Sequence, residues 1–266
     1  MKKVIIIGGA SGIGKQLAVL FYKMGYEIGI ADVNKEKLQH ISKEFNHTIT
    51  CFAMDVSSHE SARATLMQMI NQMQGVDIFV FTAGLTDKTR LWKNENKLYQ
   101  VNAIGFAALC SYIYDYWSSN KAIGKIIAIT SVVANRGLRQ ATAYSASKAF
   151  MKTYIQALRQ DAASKGLDIS ITEIRPGYVR TPMTENESRL FWSITVERAA
   201  ECIYRAAMRN KKTSYLTFRW KLIGILLKII PDFIFNLKSL FVTNYTPALN
   251  SYQIDNIKNK KLINMI

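Results

Sequence analysis

Up to Ile174 the chain alternates short, nearly continuous apolar runs with stretches whose apolar residues recur every three or four positions. Val4 to Ile7, Ile28 to Ile30, Ile49 to Ala53, Ile78 to Phe81, Ile126 to Ile129 and Ile169 to Ile174 read as six strands. Gly12 to Met24, Lys35 to Phe45, Ser57 to Met73, Leu98 to Trp117 and Tyr144 to Ser164 carry the spacing of helices buried along one side. Strands that alternate with helices in this way build parallel βαβ units. Runs such as VIII, IFVF and IIAI suit strands covered on both faces, as parallel sheets require. The predicted fold class is therefore α/β, with a doubly wound parallel sheet of about seven strands.

Beyond position 175 the texture changes. All four prolines, Pro176, Pro182, Pro231 and Pro247, lie there, so substrate loops are expected in this part. Thr195 before VERAAECIYRAAMR predicts a capped helix with Glu197 in its first turn, and Ser214 to Thr217 is a candidate seventh strand. Trp220 to Ile230 predicts one more helix, ended by Pro231, with Lys221 and Lys228 on one face and Trp220, Ile223, Leu226, Leu227 and Ile230 on the other. An apolar stretch, Phe233 to Val242, follows. Neither piece reaches the roughly 18 uninterrupted apolar residues of a membrane span. Residues 1–217 are thus expected to form the main domain and 218–266 an amphipathic extension.

With 266 residues, of which 49% are hydrophobic, the chain can bury a large core, which excludes disorder and small disulfide scaffolds. Cys51, Cys110 and Cys202 are too far apart in sequence for a disulfide framework or a cysteine metal site, and a reducing, cytoplasmic setting is expected. His40, His47 and His59 are isolated, so no metal site is predicted. MKKVIIIGGA imitates a signal peptide, but its apolar run is too short for one and reads as a first strand. The net charge of +16 is concentrated late: positions 202–266 hold 11 basic and 2 acidic residues, mixed with aliphatic and aromatic ones. That mixture suits an anionic membrane surface better than nucleic acid, where exposed stacking aromatics would be expected. A lid over a cleft or an oligomer contact is an equally weighted reading.

After the first strand, Gly8, Gly12 and Gly14 form a G-x-x-x-G-x-G turn that runs straight into a helix. Such a turn lets the backbone approach a pyrophosphate and points free helix N–H groups at it, although an ordinary tight turn has the same spacing. Asp32 ends the second strand, 18 residues after Gly14, where a carboxylate can accept a hydrogen bond from a ribose 2′-hydroxyl and repel a 2′-phosphate. Ser11 and Val33, the places for a cation that would welcome that phosphate, are neutral. NAD(H) is favoured over NADP(H), which is not excluded. Asp32 and Asp55 would also serve as turn or capping aspartates.

Tyr144 and Lys148 are four residues apart in a predicted helix, hence on one face. Ser131 follows the fifth strand, and Asn102 lies in the Leu98 to Trp117 helix. Singly, Ser131 reads as a strand-end cap and Asn102 as a buried helix polar group. Taken together and in order, these motifs resemble the short-chain dehydrogenase/reductase family over Val4 to about Thr217. The resemblance implies a single Rossmann-type domain, a catalytic set of Asn102, Ser131, Tyr144 and Lys148, and a homodimer or homotetramer built on the helices Leu98 to Trp117 and Tyr144 to Ser164. It also implies a cofactor wall of Gly8, Ser11, Gly12, Ile13, Gly14, Asp32, Asp55, Val56, Ala83, Gly84, Tyr144, Lys148, Pro176, Gly177, Val179 and Thr181. Asn102 would position a water linking Lys148 to solvent.

One departure from the family pattern is Thr82-Ala83-Gly84 where Asn-Ala-Gly is usual; with one donor instead of two, Thr82 is expected to alter the central sheet slightly. The implied activity is NAD(P)-dependent interconversion of a secondary alcohol and its ketone, and the apolar extension suggests a hydrophobic substrate. The alternative is a nucleotide-sensing or membrane-surface binding protein on the same fold, for which the phenol at Tyr144 would have no use.

Overall fold

The computed structural model describes residues 1–139, 141–184 and 191–234. Seven strands, β1 (Lys3–Ile7), β2 (Glu27–Asp32), β3 (Thr50–Ala53), β4 (Ile78–Phe81), β5 (Gly124–Ile129), β6 (Ile169–Arg175) and β7 (Thr213–Tyr215), form one sheet in the order β3-β2-β1-β4-β5-β6-β7. Every pairing is parallel. Among the described residues eight α-helices accompany them: α1 (Gly12–Lys23), α2 (Lys35–Glu44), α3 (His59–Gln72), α4 (Trp92–Tyr99), α5 (Phe106–Ser119), α6 (Thr142–Ser164), α7 (Val196–Met208) and α8 (Phe218–Ile229). This is the doubly wound α/β fold that the alternation predicts.

Successive side chains of a strand point to opposite sides of the sheet, and the core divides accordingly. Ile5, Ile7, Phe79 and Phe81 pack with α3 and α5 on one side, while Val4, Ile6, Val80 and Ile127 pack with α1 and α7 on the other. The strand order reverses between β1 and β4, which opens a crevice at the carboxyl ends of these strands.

Three expectations are corrected. The single helix read over Leu98 to Trp117 begins earlier, at Trp92, and is split by one wide π-helical stretch, Gln100–Gly105, before α5. Gly105 ends that stretch packed against Val56, where only glycine fits: a Cβ on Gly105 would lie 2.4 Å from the Val56 carbonyl oxygen. Thr82 does not disturb the central sheet. Its one hydroxyl reaches both the Ile7 oxygen (2.8 Å) and the Gly8 oxygen (3.0 Å), and β1 and β4 stay in register from Val4–Ile78 to Ile7–Phe81.

The third correction concerns α8. It folds back on the domain through Trp220 and Gly224, which are buried, while Leu226 turns outward with Leu222, Ile225 and Ile229. The Asn135 amide donates to the Gly224 oxygen (3.0 Å) and Arg136 binds the Ile230 oxygen, so packing and hydrogen bonds both select that inner face. The predicted stretch from Phe233 to Val242 lies outside the described residues beyond Ile234. Among the described residues no helix is long and apolar enough to cross a membrane.

Candidate active site

The crevice at the strand-order reversal is a cleft of about 380 Å³. At one end lies the turn between β1 and α1. Gly8 takes φ +79, and a Cβ there would come within 2.6 Å of the Ala83 nitrogen, so the turn closes against β4 only with glycine. Ser11, the N-cap of α1, makes no side-chain hydrogen bond to the first turn. The first N–H groups of α1, at Gly12, Ile13 and Gly14, therefore stand at the cleft wall without a capping side chain, suited to an anion.

Asp32 lines the same end. Its Oδ2 accepts from the Ala10 N–H (3.1 Å) and its Oδ1 from the Asn34 N–H (3.0 Å), so it fastens the glycine turn to β2 while facing the cleft. Asp55 is more fully engaged. It accepts from the Ser57 N–H (2.9 Å) and the Ser57 hydroxyl (2.6 Å), and these bonds hold its carboxyl below the usual carboxylate range. The turn role and the cleft position thus coexist at both aspartates.

At the other end, β5 delivers Ser131 and α6 delivers Tyr144 and Lys148. Ser131 begins a short 3-10 turn, accepting from the Val133 N–H (3.3 Å), and its hydroxyl lies beside Tyr144. Burial pushes the Tyr144 phenol up, and the polar Ser131 hydroxyl beside it pulls it partly back. Desolvation thus opposes the phenolate that a nearby positive charge favours. Lys148 is 4% exposed, and its ammonium donates to the Ile129 oxygen (3.0 Å). With no carboxylate bonded to it, burial brings it down from 10.5 to about 8.

Asn102 is fully buried in the π-helical stretch and does not reach the cleft wall. Its amide donates to the Leu85 oxygen (2.8 Å) and the Ser147 hydroxyl (3.2 Å), and its oxygen accepts from the Leu85 N–H (2.7 Å). The side chain clamps the segment after β4 to α6, a positioning role that leaves its amide spent on the protein.

The other predicted residues all meet at this cleft: Gly8 and Val56 with Ala83 and Gly84 on the β1–β4 side, and Pro176, Gly177, Val179 and Thr181 on the segment after β6. Sequence reasoning missed Lys97, Met183 and Thr184 on the wall. Lys97 belongs to α4, whose start was not read; Met183 and Thr184 follow Pro182, which did mark an irregular loop.

Beside the segment after β6 stands a cluster of rings. Tyr178, Phe191 and Trp192 surround Trp220 of α8, with centroids 5.5 Å, 5.5 Å and 6.3 Å from it. The Trp220 indole N–H donates to the Trp192 oxygen (3.3 Å).

Comparison with known proteins agrees with this geometry. Residues 2–190 match the model of the short chain dehydrogenase family. An uncharacterized oxidoreductase of Myxococcus xanthus (strain DK1622) is 26% identical over 88% of this chain and 95% of that protein. The fold is shared with a 3-ketoacyl-(acyl-carrier-protein) reductase from Brucella melitensis, solved in complex with NADH, at TM-score 0.72 and 20% identity, over 80% of this chain and 94% of that one. It is shared also with ElxO, solved with NADP bound, at TM-score 0.71 and 22% identity, over 81% and 96%.

Proposed function

From the premise that this chain belongs to the short chain dehydrogenase family of oxidoreductases, we propose that it interconverts a hydrophobic secondary alcohol and its ketone with NAD(H) as preferred cofactor. The observation that carries this reading is the joint placement of Ser131, Tyr144 and Lys148 at one end of a cleft whose other end is an uncapped helix N-terminus beside Asp32. The alternative of a binding protein without turnover is not favoured, because a buried ammonium beside a phenol has a stability cost that binding alone does not require.

The residues present fit a dinucleotide. The N–H groups of Gly12, Ile13 and Gly14 would hold its pyrophosphate, Asp32 an adenosine ribose hydroxyl, and Lys148 the nicotinamide ribose. Bound there, the cofactor supplies a hydride donor or acceptor. Tyr144 handles the proton. As a phenol it gives its hydroxyl proton to a carbonyl oxygen in reduction, and it recovers one from the alcohol in oxidation. Ser131 hydrogen-bonds the reacting oxygen, and the Lys148 ammonium stabilises negative charge as it forms on Tyr144.

An apolar substrate is supported by Met183 on the cleft wall and by the ring cluster around Trp220 one residue from Gly177. Assembly through α5 and α6 is supported by Phe150, 39% exposed and stacked on Tyr154 at 5.9 Å.

The test is titration with NADH and with NADPH, followed by nicotinamide fluorescence, on the protein and its Asp32→Ala variant. The expected outcome is tighter NADH than NADPH binding, with the preference levelled or reversed in the variant. Equal binding of both by the unaltered protein would remove the role given to Asp32, and binding of neither would remove the oxidoreductase reading.

A further inference from the structure

Helix α8 is apolar on both sides. Trp220 and Gly224 face the domain, whereas Phe218, Leu222, Ile225, Leu226 and Ile229 are exposed by 69%, 52%, 44%, 51% and 65%. At 3.6 residues per turn these five side chains fall in an arc of about 100° opposite the buried face. Lys221 and Lys228, both exposed, border one edge of that arc, and Arg219 borders the other. The ring cluster extends it: Phe191 and Trp192 are about half exposed, and the Arg219 guanidinium lies 5.5 Å over the Trp192 ring. Phe233, just past the helix, is 67% exposed. A continuous apolar face of this kind marks a contact surface.

Its charge selects the occupant. From Phe218 to Ile234 the only acid is Asp232, and it is paired with Arg136. A second copy placed face to face would set Lys221 and Lys228 against the same cations. Residues 235–266 bring four lysines and one aspartate, so they too lack the complementary sign. A surface with an apolar interior and anionic head groups satisfies both parts at once.

We propose that the outward face of α8, continued by Phe191 and Trp192, docks on an anionic lipid surface, with its apolar side chains among the acyl chains and Arg219, Lys221 and Lys228 at the head groups. This does not depend on the oxidoreductase reading.

The full chain is sedimented with phosphatidylcholine vesicles rich in phosphatidylserine and with phosphatidylcholine vesicles alone. Binding is expected to the anionic vesicles, weaker by about tenfold to the neutral ones, and reduced by high salt. Leu222→Glu combined with Ile229→Glu should abolish it with the circular dichroism spectrum unchanged, since both side chains are exposed. Lys221→Gln with Lys228→Gln should keep the fold and lose the preference for anionic lipid. Absence of binding by the unaltered chain overturns the proposal, as does undiminished binding by either double variant. A dimer that Leu222→Glu and Ile229→Glu split, without vesicle binding, would assign the face to a second copy and overturn it equally.

Discussion

The Lys148 ammonium lies 5.6 Å from the centre of the Tyr144 ring, one turn further along α6, and each group is desolvated where the other sits. Neither can be explained as packing alone, because methionine and phenylalanine would fill the same space without the penalty of burying polar groups. Tyr144→Phe keeps the ring and removes the proton. It is expected to lower kcat by at least about 10²-fold while leaving cofactor affinity nearly unchanged. Steady-state rates on a panel of apolar ketones, beside NADH fluorescence titration, check this; full activity in the variant would sink the assignment.

Lys148 also makes the site costly to the fold. Moving its proton affinity from 10.5 to about 8 corresponds to about 3 kcal/mol of stability lost at neutral pH. In the native state it binds a proton less tightly than in the unfolded chain. Its contribution therefore rises with pH between about 8 and 10.5, where only the unfolded chain holds the proton. Lys148→Met is expected to be more stable than the unaltered protein at pH 7, by up to about 3 kcal/mol, with the gap narrowing across that window. Urea unfolding of both proteins at pH 7 and at the alkaline end of the window measures it. Reduction by the unaltered enzyme should weaken as pH rises through about 8, because the ammonium that supports Tyr144 is lost.

The strands and the residues that line the cleft were readable because their signals are local. Ile78 to Phe81 is the same segment in sequence and structure, and a glycine turn followed by a carboxylate places a cleft wherever the strand order reverses. What escaped depends on contacts between distant segments. In the π-helical stretch around Asn102, Gly105 packs closely against Val56, and no periodicity in the sequence records that approach. Thr82 looked like a lost donor, yet its position between the Ile7 and Gly8 oxygens lets one hydroxyl serve two acceptors. On α8 the periodicity was ambiguous because both sides are apolar. Gly224, closely packed against Tyr215, together with the buried Trp220 fixed which side turned inward.

Glu173 is 1% exposed and joins that inner side to the site. It accepts from Arg175 Nε (2.7 Å) and Nη2 (2.8 Å) and from the Thr130 hydroxyl (3.0 Å), immediately before Ser131. Arg175 in turn donates to the Tyr215 hydroxyl (3.0 Å) and to Asn135 (3.3 Å), which holds α8. Glu173→Gln leaves a nearly buried guanidinium without its counter-charge and is expected to cost about 3–5 kcal/mol. Replacing Glu173 and Arg175 together by methionine should recover much of that loss. Denaturant midpoints for the single and double variants decide the matter, and a single variant within about 0.5 kcal/mol of the parent would show that the pair is not structurally required.

Gly177 lines the cleft directly beneath the Trp220 indole, and a Cβ built on it would lie 2.0 Å from the ring. No side chain is small enough to enter that contact unless Trp220 moves, and Trp220 anchors α8. Gly177→Ala is expected to cost about 1–3 kcal/mol through overpacking, and Trp220→Ala about 3–5 kcal/mol through the space it empties. If the contact is what couples α8 to the cleft wall, the second change relieves the first, and the double variant loses clearly less than both single losses combined. Denaturant unfolding of the four proteins gives the coupling directly. Losses that add within about 0.5 kcal/mol would mean that the indole can retreat at no cost, and that α8 is held to the wall by Asn135 and Arg136 instead.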